Sequence, residues 1–192
     1  MKKIFLIPTL AFFALQCTKV ETKPEVSNDV AVVKTTEIST DTLKSFAGAT
    51  KKLLMKNVAE QIEKGGAESA LDYCNIEAMP LTKSMSEKFG LEIYRVSDKM
   101  RNPKNSANAE ELKLIEQYKQ QILAGEDLKP VRTESHYYEP LVTNAMCLQC
   151  HGESGKNIKP NVSAKIAKLY PEDLATGYKE NEVRGLIVIK TK

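Results

Sequence analysis

The residues Cys147-Leu148-Gln149-Cys150-His151 form the pattern C-x-x-C-H, and the interpretation of the whole chain starts from this stretch. Two cysteines three positions apart can form thioethers to the two vinyl groups on one edge of a haem. The adjacent histidine then lies under the iron and supplies one axial nitrogen. The sequence therefore predicts a single, covalently attached haem c, held by Cys147 and Cys150 and ligated by His151.

Two other kinds of site also use a C-x-x-C pattern. A thioredoxin-like redox disulfide has a strand before the motif and a helix that opens at it. A zinc site needs two further ligands, and the remaining candidates, Cys17, Cys74 and His136, are not paired at zinc spacing. Haem is favoured over both, because the N-terminus also indicates export and covalent haem attachment occurs outside the cytoplasmic membrane.

The N-terminus has the pattern of an export signal. Lys2 and Lys3 precede a nearly apolar run, 4–15, that is too short to remain as a spanning helix. Cys17 follows this run and resembles the lipidated cysteine of bacterial lipoproteins, although an ordinary cleaved signal is the alternative. We expect a signal peptide over 1–16, a lipid-anchored flexible tether over 17–40, and one haem-binding domain over 41–192. This domain would lie on the periplasmic side of a bacterial membrane.

Composition excludes some classes of protein. The chain has 192 residues, of which 42% are hydrophobic, which is enough for a folded core. Its formal net charge is +3, and this falls to +1 when Lys2 and Lys3 are removed with the signal. A nearly neutral chain argues against a nucleic-acid partner.

Hydrophobic periodicity predicts helices first and strands later. Helical spacing begins near Asp41, with Thr40 or Asp41 as the cap, and stops at Gly65-Gly66; a second helix runs from Ala67 to Gly90. Further helices are expected over about 108–125 and 162–169, and strands over 91–96, 135–142 and 183–189. This order predicts an α+β fold with an antiparallel sheet.

The sixth ligand of the iron is left open by spacing alone. Cys74 lies on the apolar stripe of the second helix, where a small buried core residue is the ordinary interpretation. His136 is plausible by ligand type, and methionine is a common ligand in small electron carriers. The methionine candidates are chiefly Met79, Met85 and Met100.

Several stretches, in one order, resemble the c-type haem family with a PAS-like fold. They are 70–74, 95–97, 101–105, 139–142, 147–152, 170–178 and 183–185. The resemblance implies a central antiparallel sheet flanked by helices, and an axial pair of His151 and Cys74. A thiolate from Cys74 would stabilise ferric iron and lower the reduction potential, and its protonation on reduction would open a coordination position.

Four arginines are candidates to pair with the haem propionates. Arg101 is favoured because its loop, 101–105, is rich in turn-forming residues. The other three candidates are Arg95, Arg132 and Arg184.

Two functions follow from a tethered single-haem domain. The first is electron transfer with an unidentified redox partner. The second is a redox or diatomic-gas sensor that signals through exchange of the Cys74 ligand; a separate partner protein would be needed, because no output domain follows His151. An enzyme is not expected, because His136 would be the only available acid-base group beside the iron.

Overall fold

The computed structural model describes residues 37–192. The predicted signal peptide, Cys17 and all but the last residues of the predicted tether lie outside the described residues. Within residues 37–192 no helix is long and apolar enough to span a bilayer. The elements, in chain order, are α1 (Thr40–Phe89), β1 (Glu92–Val96), a 3₁₀ turn (Pro103–Asn105), α2 (Ala109–Leu123), β2 (Val131–Arg132), β3 (His136–Val142), α3 (Ala145–His151), α4 (Pro160–Leu169) and β4 (Val183–Lys190).

The long helix α1 consists of two arms separated by a break at Gly65-Gly66. Gly66 has φ +70° and ψ −169°, a backbone conformation that a residue with a side chain rarely adopts. The N-cap is Ser39, whose side chain accepts a hydrogen bond from the Thr42 amide at 3.1 Å, so the predicted caps one or two residues later are wrong. The helix ends at Gly90 in the left-handed conformation, as the sequence predicts.

The four strands form one antiparallel sheet in the order β1-β4-β3-β2. The central strand β4 is buried on both faces, because Ile187 and Ile189 pack under α1 while Leu186 and Val188 pack under α2. Helices therefore cover both faces of the sheet. The predicted α+β fold, a central antiparallel sheet flanked by helices, is confirmed.

Two elements are absent from the sequence prediction. Strand β2 has two residues and α3 has seven, so neither is long enough to show a period of its own. Strand β2 extends the sheet beside β3, and α3 matters for the site because it carries the C-x-x-C-H motif.

Candidate functional site

A cavity of about 680 Å³ lies between the two arms of α1 and the sheet. Its floor includes Ile187 and Gly185 of β4 and the end of β3 at Leu141 and Val142. Apolar side chains from both arms of α1 form much of the remaining wall. This volume is within the range of cavities that hold organic cofactors.

Helix α3 forms part of the wall of this cavity and carries the C-x-x-C-H motif. Residues three and four apart share one face of a helix, so Cys147, Cys150 and His151 are on the same side of α3. All three line the cavity. Asn144 caps the helix by accepting a hydrogen bond from the Cys147 amide at 3.2 Å, which orients the first turn.

The His151 ring is held by one specific hydrogen bond. Its Nδ1 lies 2.7 Å from the carbonyl oxygen of Ala175; since a carbonyl only accepts, Nδ1 carries the proton. Burial lowers the pKa of His151 well below its usual range, the charges of Arg184 and Arg101 lower it further, and the bond to Ala175 opposes them. The neutral ring therefore keeps a lone pair on Nε2, the arrangement of a histidine that binds a metal.

Cys74 lines the same cavity from the second arm of α1. Burial raises the pKa of its thiol, while the positive charges of Arg95 and Arg101 act to lower it. Burial raises the pKa of Cys150 to about 11; Arg101 lowers it, and the charge of Cys74 raises it. Both thiols therefore line one cavity beside the same cationic residue, Arg101.

The other predicted iron ligands are placed differently. His136 is outside the cavity lining, with its Nδ1 2.8 Å from the Ser135 hydroxyl. It begins β3, whereas the cavity reaches only the far end of that strand, six residues and about 20 Å away. Met79 and Met100 line the cavity, but Met85 is buried in the core between α1 and the sheet.

Arg101 lines the cavity, but its guanidinium already has partners. Its Nε lies 2.9 Å from Oδ1 of Asp173, and its Nη2 donates to the carbonyl of Cys150 at 2.6 Å. Asp173 Oδ1 also accepts from the amide of Ala175, the residue whose carbonyl holds His151. Arg101 therefore ties the motif to the 173–175 turn, and its predicted contact with a cofactor stays a prediction.

Sequence reasoning does not single out Asp173, because its partner Arg101 is 72 residues away in the chain. Of the other predicted arginines, Arg95 and Arg184 line the cavity. Arg132 does not; it binds Glu37 at 2.7 Å and the Thr40 hydroxyl at 3.0 Å.

The two alternative interpretations of the motif can be compared with this geometry. A strand, β3, does precede the motif, and α3 opens just before it, so the setting expected of a thioredoxin-like site is present after all. Cys147 and Cys150 are nevertheless free thiols. Among residues 37–192 no group of three or more His, Cys, Asp or Glu side chains could hold a metal ion, so the zinc interpretation finds no ligand set there.

The lining chemistry fits a haem. An apolar wall suits the porphyrin plane, two thiols and a histidine share one helix face, and the charged groups of the lining are all cationic. No aspartate or glutamate of residues 37–192 lines the cavity. Two buried guanidinium nitrogens at the cavity, Arg95 Nε and Arg184 Nε, have no hydrogen-bond partner within the described part of the chain.

The fold and site together define a class: an α+β domain whose helices enclose a cofactor-sized cavity with a C-x-x-C-H helix in its wall. The chain belongs to the Tll0287-like family, whose profile matches residues 21–191. Among solved structures it is similar to that of the cyanobacterial heme-protein Tll0287, with 20% identity and a TM-score of 0.57 over 78% of this chain and 92% of that one. No curated protein matches the chain with significance.

Proposed function

We propose that this chain is an exported, single-haem c-type protein with an electron-transfer role. The observation that carries the proposal is the single cavity that Cys147, Cys150 and His151 line from α3 and Cys74 lines from α1. Membership of a family named after a heme-protein supports the cofactor. When bound, the haem would supply a one-electron redox couple, and the chain would supply its attachment, ligation and surroundings.

His151 would hold one side of the iron. Its Nδ1 proton is committed to the Ala175 carbonyl, so the ring orientation and the donor nitrogen are set before any ligand binds. Cys74 would hold the other side, as the family resemblance implies. A thiolate there would favour the ferric state and give a low reduction potential.

We also propose a role in electron transfer rather than in catalysis. Peroxidase-type chemistry needs an acid-base side chain beside an open iron position. Within residues 37–192 the cavity is lined by no Asp, Glu or second His, since His136 lies outside it. A largely apolar cavity with cationic side chains instead suits a cofactor whose charge changes by one electron.

A second candidate function, redox or diatomic-gas sensing by ligand exchange, is favoured by one observation. Met79 and Met100 line the same cavity as Cys74, so if the thiol is released its place can be taken by a neutral thioether, a weaker ligand that a diatomic gas can displace. A signal of this kind would pass to a separate partner protein.

Absorption spectra of the purified holoprotein separate the two functions. The oxidised, reduced and carbon monoxide-treated reduced protein would be compared. An electron carrier keeps both axial ligands on reduction, so we expect the reduced spectrum to be unchanged by carbon monoxide. Rapid carbon monoxide binding would contradict the electron-transfer proposal and support the sensor, and a protein without haem bands would overturn both.

A further inference from the structure

Among residues 37–192, every charged side chain that lines the cavity is positively charged. Lys56 and Arg101 have carboxylate partners in Glu60 and Asp173, and neither partner lines the cavity. The remaining cationic side chains of the lining are Lys51, Lys52, Arg95 and Arg184. The two lysines are exposed and solvated, whereas the two arginines are largely withdrawn from water.

Arg95 and Arg184 reach the cavity from neighbouring strands. Arg95 of β1 donates through Nη2 to the carbonyl of Ala78 at 3.2 Å. Arg184 of β4 donates through Nη1 to the Ser97 hydroxyl at 2.7 Å and to the Lys99 carbonyl at 3.1 Å. Neither guanidinium forms an ion pair with a carboxylate of residues 37–192, and the Nε of each is buried without a partner.

Two adjacent, partly buried cations without a carboxylate partner among residues 37–192 are an unfavourable arrangement. Burial lowers the pKa of Arg95; the charge of Cys74 acts to raise it, and the charge of Arg184 lowers it further. Burial also lowers the pKa of Arg184, although Tyr178 acts in the opposite direction. An unpaired N–H on a buried guanidinium loses its water without gaining an acceptor, so both groups fit a bound anion.

We propose that Arg95 and Arg184 form a carboxylate-binding subsite for the propionate groups of the bound porphyrin. The proposal rests on the function above, because it needs the haem to be in the cavity. A guanidinium offers parallel N–H donors that match the two oxygens of a carboxylate. Arg95 and Arg184 would then hold the propionates near Ser97, where β1 and β4 meet, and the exposed lysines would not take part.

Infrared spectroscopy of holoprotein with ¹³C-labelled propionate carboxyl groups tests this directly. The label comes from a labelled haem precursor supplied during expression, so the labelled bands report only the propionates. We expect Arg95→Gln and Arg184→Gln each to shift a labelled carboxylate band toward that of a hydrated carboxylate. Arg132→Gln, at a half-buried arginine outside the cavity, and the double variant Lys51→Gln, Lys52→Gln are the matched controls and should leave the bands in place.

Labelled bands that are unmoved in both arginine variants would overturn the subsite, and so would bands that move in the lysine variant. If a glutamine variant fails to assemble, Arg95→Lys and Arg184→Lys keep the charge but lose the paired donors. A smaller shift of the same bands is then expected, and no shift contradicts the proposal. Wild-type protein that carries no labelled haem after denaturation would instead show that the proposed function itself is wrong.

Discussion

At the scale of single residues, Cys74 controls the expected redox behaviour of the site. It faces the cavity from α1, while His151 faces it from α3. The ordinary interpretation, a small core residue, and the ligand interpretation predict different consequences for the same substitution.

Cys74→Ser should change the ferric spectrum and raise the reduction potential. Serine is close to cysteine in size but replaces a soft anionic donor poorly, so the ferric state loses its stabilisation. Sulfur-to-iron charge-transfer bands should disappear, and the iron should bind added imidazole or cyanide readily. Absorption spectra and a potentiometric titration of the oxidised protein would measure both effects.

His136→Ala is the matched control for this substitution. Its ring is at the opposite end of β3 from the cavity and stacks on Tyr138, so spectrum and potential should stay as in the wild type. An unchanged ferric spectrum in Cys74→Ser would exclude Cys74 and leave Met79 and Met100, which also line the cavity. A change seen with His136→Ala instead would contradict the geometry.

At the scale of elements, the join between β1 and β4 forms one wall of the site and depends on a glycine. Gly185 has φ +153°, and a Cβ at this position would lie 2.2 Å from the carbonyl oxygen of Val96. The two strands therefore approach more closely than any side chain allows. This close approach also places Arg95 and Arg184 beside the same end of the cavity.

Gly185→Ala should lower the free energy of unfolding by about 2 kcal/mol or more, through backbone strain and steric overlap with β1. Chemical denaturation of the holoprotein would measure the change. Gly48→Ala is the control, since this helical glycine is exposed and has open space around it. It should be neutral or stabilising by up to about 1 kcal/mol. Equal effects at the two positions would contradict the proposed packing.

The sequence predicts the long elements well because each carries its own period or cap. The arms of α1, the helix α2 with its Asn108 cap and the strand β3 all agree with their patterns. The sequence does not predict β2 or α3, because both are too short to show periodicity.

Within the site, the motif spacing is local and can be read from the chain, whereas the ligand opposite His151 depends on how distant segments meet. Spacing could not rank Cys74 against His136; only the fold shows that Cys74 lines the cavity while His136 lies at the other end of β3, about 20 Å from the cavity end of that strand. The role of Arg101 was likewise hidden, since Asp173 and the Cys150 carbonyl reach it only through tertiary packing.

At the scale of the whole molecule, the net charge is small, but positive charge is concentrated at the cavity. The chain carries a formal net charge of only +3, yet the charged groups that line the cavity are all cationic. Positive charge is therefore placed where an anionic cofactor would bind.

The N-terminal interpretation predicts attachment to a membrane through Cys17. In a bacterium with lipoprotein processing, wild-type protein should fractionate with membranes, because an acyl-modified cysteine partitions into the bilayer. Cys17→Ser should be unprocessed or released as soluble protein, and immunoblots of membrane and soluble fractions would distinguish these states. Soluble wild-type protein would contradict the anchor and leave the haem proposal unaffected.

The central claim is that one haem is covalently attached through Cys147 and Cys150. Its most direct test is the intact mass of denatured protein after acid-acetone extraction, with expression alongside the haem-attachment machinery. The proposed site predicts protein that keeps its colour and gains the mass of one haem, and a Cys147→Ser, Cys150→Ser variant that keeps neither. Colour that leaves with the solvent, or wild-type protein at its unmodified mass, would contradict it.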